Sequence, residues 1–218
     1  MTAIAHSPSI PMASTEPVVA LRRRTIDTVL TAAGAVFAVV LLAAGGLLTW
    51  GSNFSEDYVY DELSSQNISF PPAAALEEEG RTDLVKFAEA KVDTGPEAEA
   101  YASFIDGHLA NIADGQTYAD LGTPERAANA AVEEATASGA SADELARLEG
   151  EAAAISGQRN SLFKGETLRG LLLSAFAWST VGRIAGIAAT VAFVAAAAMV
   201  VLVAFGVRHH HKVVTTAR

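Results

Sequence analysis

The amino-acid sequence predicts an all-α protein in which two transmembrane helices flank an extracytoplasmic helical domain. Half of the 218 residues are hydrophobic, and the apolar residues concentrate in two blocks near the ends of the chain. Charge is segregated as well: residues 51–170 hold 23 Asp/Glu and 8 Lys/Arg, whereas the rest of the chain holds 2 acids and 7 bases. Because short loops rich in Lys and Arg stay in the cytoplasm, this pattern predicts a multi-pass protein of the plasma membrane with both termini inside.

The composition excludes several kinds of chemistry. The chain contains no cysteine, which rules out disulfide bonds, thiolate metal sites, iron–sulfur clusters and a thiol nucleophile. The balance of −15 over residues 51–170 repels phosphate backbones, so we expect no binding of nucleic acid.

The first predicted span covers residues 26–50 and follows a disordered cytoplasmic tail at residues 1–25. Its apolar stretch Val29–Trp50 has 22 residues, which as a helix cover about 33 Å, enough for a hydrocarbon core of ~30 Å. Three basic residues are expected at the inner interface: Arg22, Arg23 and Arg24. Trp50 is expected at the outer interface, where tryptophan is enriched.

A cleaved signal peptide is the alternative interpretation of this N-terminal segment, because a basic region followed by an apolar one is also its signature. The apolar stretch is longer than the ~7–15 residues of a signal core, and no clear small-x-small cleavage site follows it. We therefore favour a retained span.

The second apolar block, Leu171–Val207, contains one charged residue, Arg183. As one helix it would measure about 55 Å, far more than a bilayer core requires. We therefore predict that it is divided into a membrane-proximal helix at residues 171–183 and a span at residues 184–206, followed by a cytoplasmic basic tail at residues 207–218. The sequence leaves open whether residues 162–183 are interfacial or part of the outer domain. Trp178 and Arg183 are expected at the outer interface, and Arg208 at the inner one.

Two features of the second block allow more than one interpretation. Arg183 is either part of an ion path or an interfacial arginine that reaches phosphates or an outer-domain carboxylate, and the absence of a second buried charge favours the latter. Gly182 and Gly186 form a small-xxx-small pair, which predicts close packing on the first span or a homo-oligomer contact.

The middle of the chain predicts a series of helices. The first span extends outward to about Asn67, where Pro71 and Pro72 follow. Further helices are expected at Ala74–Lys91 and at Glu97–Asp114, the latter with helical apolar spacing. Thr123 and Pro124 indicate the start of another helix, with Thr123 as its cap, and Ser141–Glu144 reads as a capping box.

No catalytic, cofactor-binding or metal-binding residue is predicted, and we expect that the protein is not an enzyme. His108 is the single histidine of residues 51–170, so one chain cannot assemble a histidine-rich metal site there. The acidic run Glu77–Glu79 is interpreted as a solvated helix face rather than a cation site.

Two stretches carry a family resemblance: KVDTGPEAEAYASFIDGHLANIADGQTYADL (residues 91–121) and TLRGLLLSAFAWSTVG (residues 167–182). They resemble a family of two-span actinobacterial membrane proteins with a GQTYA element in the outer loop and an LRG-LLL segment before the last helix. Members often carry the name aromatic ring-opening dioxygenase by name transfer. The resemblance implies the two-span topology, whereas the name implies iron chemistry, for which this sequence lacks the histidine ligands.

Three functions follow as hypotheses. The first is a non-catalytic interaction or accessory subunit of the cell envelope, embedded in the lipid bilayer and bound to another membrane or envelope protein. Its predicted contact is the segment GQTYADL (residues 115–121), through Gln116 and Tyr118. The second is an oligomeric channel or transporter component with a path past Arg183. The third, from the family name alone, is a subunit of a ring-opening dioxygenase.

Overall fold

The computed structural model describes the backbone of residues 16–216 and the side chains of residues 25–208. Over residues 16–216 the chain is helical and has no strand, which confirms the all-α class. The elements are α1 (Glu16–Ser65), α2 (Ala73–Glu78), a 3₁₀ helix (Thr82–Phe87), α3 (Gly95–Ile112), α4 (Gly122–Ser138) and α5 (Ala142–Thr216).

The predicted division of the second apolar block is wrong. Helix α5 runs for 75 residues without interruption, so residues 171–183 and residues 184–206 belong to one helix. The physical reason is that this block contains no proline and is rich in Ala and Leu, so nothing interrupts the cooperative propagation of the helix.

The predicted tail at residues 1–25 also needs correction. Helix α1 begins at Glu16, so residues 16–25 are helical rather than disordered. The remainder of that tail lies outside the described residues, as do the side chains of Arg22, Arg23 and Arg24.

The chain divides into two compact units, each of which includes part of α1 and part of α5. The first, Met1–Thr49 with Ile187–Arg218, is called the span pair below. The second, Trp50–Gly186, is called the helical domain. The helical domain therefore extends beyond the predicted boundary at residue 170 and includes residues 162–183.

In the span pair, the buried residues are small. The buried side chains include Ala38, Ala189, Ala192 and Ala196. A Cβ atom added to Gly45 would lie 2.8 Å from Cε1 of Phe193, so glycine is required for this close approach. Such packing of small residues is typical of helices that associate within a bilayer.

The large apolar residues of the span pair point outward. Leu47 is 70% exposed and Val194 is 66% exposed. The most apolar windows of α1 and α5 are only 11% and 17% buried, whereas a core helix of a water-soluble protein would be mostly buried. Both helices are long and apolar enough to cross a membrane.

The helical domain has a conventional core of larger side chains. Leu76, Val92 and Leu172 are its most completely buried large residues. The main cluster contains Val59, Leu63, Phe70, Leu76, Leu84, Val92, Ala98, Ala102, Phe104 and Leu172. A smaller second cluster contains Leu109, Ala113, Leu121 and Leu162. Both clusters include residues of α5, so this helix is part of the domain and not only a connection to it.

The predicted helix at Ala74–Lys91 is wrong. Helix α2 ends at Glu78, and Gly80 has a φ of +74°, a left-handed conformation that ends a helix and favours glycine. A 3₁₀ helix follows at Thr82–Phe87. The Arg81 guanidinium stabilises this arrangement because it donates to the Ser103 carbonyl of α3 at 2.8 Å.

The starts of α3 and α4 both differ from the predicted ones. Helix α3 begins at Gly95, two residues before the predicted Glu97, and has a reciprocal capping box between Thr94 and Glu97. Helix α4 begins one residue before Thr123, with Leu121 as its cap, so the predicted capping role of Thr123 is wrong. The Thr123 hydroxyl instead accepts a hydrogen bond from Arg126 at 3.2 Å.

The Ser141–Glu144 pattern lies at the start of α5. The Ser141 hydroxyl accepts a hydrogen bond from the Glu144 backbone N–H at 3.3 Å. This bond is one of the two that define a capping box.

Candidate functional site

The predicted contact segment, residues 115–121, forms a compact turn between α3 and α4. The Asp120 carboxylate accepts hydrogen bonds from the Thr117 backbone N–H at 2.9 Å and from the Thr117 hydroxyl at 2.7 Å. These two bonds hold the pKa of Asp120 below its usual range. The turn is therefore ordered by hydrogen bonds among its own residues.

Arg159 of α5 fixes this turn from one side. Its Nε atom donates to the Tyr118 carbonyl at 3.2 Å, and its guanidinium lies 4.0 Å from the centre of the Tyr118 ring. The Phe163 ring, one turn further along α5, lies 5.7 Å from the Tyr118 ring. Cation–π and aromatic contacts of this kind hold a tyrosine in one orientation.

The same arginine joins α4 to α5. Its guanidinium pairs with the Glu125 carboxylate at 2.5 Å, and the Ser156 hydroxyl donates to the same carboxylate at 2.8 Å. The Ser156 hydrogen bond and then the Arg159 guanidinium hold the pKa of Glu125 below its usual range. One polar cluster thus links α4, α5 and the turn.

A cleft of about 500 Å³ lies on the other side of the turn. Its lining residues come from three elements: Asp106, Leu109 and Ala110 of α3, Gly115, Gln116, Thr117, Tyr118 and Ala119 of the turn, and Leu162 and Glu166 of α5. The structure thus brings the two predicted contact residues, Gln116 and Tyr118, to the edge of a single cleft. The cleft combines apolar lining residues, such as Leu109 and Leu162, with polar ones, such as Gln116 and Glu166, as interaction sites commonly do.

Two charged residues line this cleft, and both pair with one arginine. Arg169 of α5 lies 3.3 Å from the Asp106 carboxylate and 3.1 Å from the Glu166 carboxylate. Gly165 lets Leu109 approach α5 closely, since a Cβ atom at this position would overlap Cδ2 of Leu109.

The sequence did not indicate that α5 contributes residues to this site. Arg159, Leu162 and Glu166 are more than 35 residues away from Tyr118 along the chain. A charged side chain on an Ala-rich helix is the only local signal at Arg159, and it does not distinguish a site from a solvated face.

Arg183 lies in a second cleft, of about 450 Å³, at the start of α3. The acidic residues that line this cleft are Glu56, Asp57 and Asp93. Burial, and then a hydrogen bond with Glu97, raises the pKa of Asp93. Arg183 therefore shares this cleft with carboxylates of the helical domain, while residues 28–49 and 187–207 contain no Asp, Glu, Lys or Arg. The interfacial role of Arg183 stays a prediction.

The predicted interface residues with described side chains are exposed: Trp50, Trp178, Arg183 and Arg208. Gly182 and Gly186 contact α1 of the same chain, since added Cβ atoms would lie 2.9 Å from Ser55 Cβ and from Ser52 Oγ. A homo-oligomer stays a prediction, and it would have to use a surface other than this occupied one.

His108 lies on the surface of α3. Its Nδ1 atom lies 3.2 Å from the Phe104 carbonyl, and its Nε2 atom lies 3.7 Å from a Glu79 carboxylate oxygen. Within the described part of the chain, no three His, Cys, Asp or Glu side chains are placed to hold a metal ion.

No protein-family model, no curated protein and no solved structure matches this chain. The resemblance to the two-span actinobacterial family therefore stays a prediction.

Proposed function

We propose that this protein is a two-span envelope protein whose helical domain lies outside the cytoplasm and serves as a non-catalytic docking unit for another membrane or envelope protein. The observation that carries this proposal is the ordered turn at residues 115–121, which presents Tyr118 beside a cleft of about 500 Å³.

The turn has the physical properties of a binding surface. Tyrosine is enriched among the residues that contribute most to protein–protein affinity, because it buries a large ring and retains a polar hydroxyl. Tyr118 keeps 42% of its surface exposed although Arg159 and Phe163 hold its ring. A side chain that is ordered before binding loses little conformational entropy when a partner arrives.

The charge of the domain indicates the chemistry of the partner. Residues 51–170 carry a balance of −15, so a surface with complementary basic residues would be attracted and an acidic one repelled. We therefore expect the partner surface to contain Lys or Arg beside an apolar residue that enters the cleft.

Site-specific photo-crosslinking tests the docking surface. A benzoylphenylalanine at position 118 should give a discrete covalent product with another protein in intact cells. Position 60 is the matched control, because Tyr60 is also an exposed tyrosine, at 53%, and does not line this cleft. Equal products from both positions, or none from position 118, would contradict the proposal.

The absence of cysteine makes the proposed orientation directly testable. A single cysteine in place of Glu133, which is exposed on α4, should react in whole cells with a membrane-impermeant maleimide. A cysteine added after Arg218 should react only after the membrane is permeabilised. The reverse pattern would place the helical domain in the cytosol.

A further inference from the structure

The apolar part of the unbroken helix α5 is longer than the hydrocarbon core of a bilayer. Its apolar block, Leu171–Val207, corresponds to about 55 Å of helix, compared with a hydrocarbon core of ~30 Å. In the helical domain this excess remains uncovered, since Leu171 is 64% exposed and Trp178 is 52% exposed. Exposed apolar surface of this kind marks a contact with lipid or with another apolar ligand.

Helix α1 presents a parallel series of aromatic rings. Trp50 stacks on Phe54 with ring centres 5.6 Å apart, and Phe54 stacks on Tyr58 at 6.3 Å. All three rings are exposed. The series begins at Trp50, the predicted outer interface, and continues for two helical turns into the domain.

The aromatic series ends at a groove of about 280 Å³. Tyr58 and Leu63 of α1 line one side of it, and Leu168, Leu171 and Trp178 of α5 line the other. Its polar lining residues are Glu62, Gln66 and Ser174, and no Lys or Arg lines it. The volume lies just below the ~300–1,000 Å³ typical of small-molecule sites.

We propose that this groove binds one hydrocarbon chain of a membrane lipid, which reaches it along the aromatic series. A single chain fits a narrow apolar groove, whereas a partner helix needs a wide and shallow one. Glu62 repels a phosphate or carboxylate headgroup. The lipid is therefore one whose headgroup has no net negative charge.

The test uses the full-length protein in nanodiscs of phosphatidylcholine that carries a diazirine at the end of one acyl chain. After irradiation, peptides from residues 58–68 and 168–178 should be labelled in addition to those of the spans. Label confined to residues 29–50 and 187–207 would overturn the proposal.

Two substitutions sharpen this test, and a third serves as the control. Leu171→Gln should reduce labelling of the groove about tenfold, the order expected when one large apolar contact is lost. Ser174→Trp should give a similar loss because it fills the groove without adding charge. Leu173→Gln is the matched control, since Leu173 is exposed on the same helix but does not line the groove.

Two further outcomes would overturn the proposal. Equal labelling in Leu171→Gln and Leu173→Gln would show that lipid does not enter the groove. Cross-links from position 171 to a second copy of the chain, or to another protein, would assign this groove to a protein ligand. Neither outcome affects the separate test of Tyr118.

Discussion

The span pair and the helical domain are built on the same two helices, α1 and α5, but their surfaces are reversed. In the span pair, alanine is buried and Val, Leu and Phe are exposed, as at Leu47 and Val194. In the helical domain, α5 buries Leu162 and Leu172 and exposes carboxylates such as those of Glu149 and Glu166. Helix α5 therefore buries small residues in the span pair and large apolar residues in the helical domain.

Membrane insertion of the span pair, as proposed above, accounts for this reversal. Water drives large apolar side chains into a core, because their burial removes apolar surface from contact with water. Lipid gives no such drive, so helices within it associate through the close approach of small residues. Gly45 against Phe193 in the span pair is such an approach.

The largest effect should come from deleting a core side chain of the helical domain. Leu76→Ala removes a fully buried side chain and should lower the free energy of unfolding by about 2–5 kcal/mol. Leu47→Ala, in the span pair, should change it far less. Denaturant unfolding in mild detergent, followed by the fluorescence of Trp50 and Trp178, measures both. Similar losses would contradict the reversed arrangement.

A charge on the exposed face of the span pair should affect insertion. Val194→Asp should raise the free energy of membrane insertion by about 2.5–3.5 kcal/mol if this face contacts lipid. Ala137→Asp, on the exposed surface of α4, should alter stability by only about 0.5 kcal/mol or less. Glycosylation-based insertion assays measure the first value. An unaffected Val194→Asp would indicate that the face contacts water.

The glycines of α5 should separate tight packing from open surface. Gly165→Ala should destabilise the helical domain by about 1–3 kcal/mol because its Cβ would overlap Leu109. Gly170 has no atom within 4 Å of an added Cβ, so Gly170→Ala should stabilise the helix by about 0.5–1 kcal/mol. Thermal unfolding of the two variants should therefore shift in opposite directions. A shift in the same direction would refute the contact at Leu109.

The smallest effect should come from acid, and only in the helical domain. Because the folded pKa of Glu125 is lowered, its stabilising contribution is present above its unfolded pKa of about 4.3 and is lost as the pH falls through the folded value. The protection of α4 amides against hydrogen exchange, relative to the intrinsic exchange rate at each pH, should therefore fall below about pH 4.3. Glu125→Gln should remove this dependence. Residues 28–49 lack acids and should show no change.

The sequence was informative wherever a local pattern was sufficient. Charge segregation and two apolar blocks predicted the all-α class with two candidate spans, and the apolar spacing of residues 97–114 predicted α3, which begins two residues earlier, at Gly95. Gln116 and Tyr118 were identified from a helix stop followed by polar and aromatic residues. The structure brings both to one cleft, but their contact with a partner stays a prediction.

The errors arose where neighbouring residues gave no sufficient signal. Apolar length suggested a break in α5, yet the segment has no proline and the helix continues without interruption. Amphipathic spacing suggested one helix at Ala74–Lys91, yet Gly80 and the contact of Arg81 with α3 divide it.

The sequence by itself determined the helical class, the positions of the apolar segments and the acidic character of the domain, because these depend on composition and short-range periodicity. Only the tertiary structure decided which residues share a cleft or a groove. Arg159 contacts Tyr118, and Tyr58 lines the same groove as Leu171, because the folded core brings distant segments together. Contacts between residues far apart in the chain depend on that packing, which no local pattern encodes.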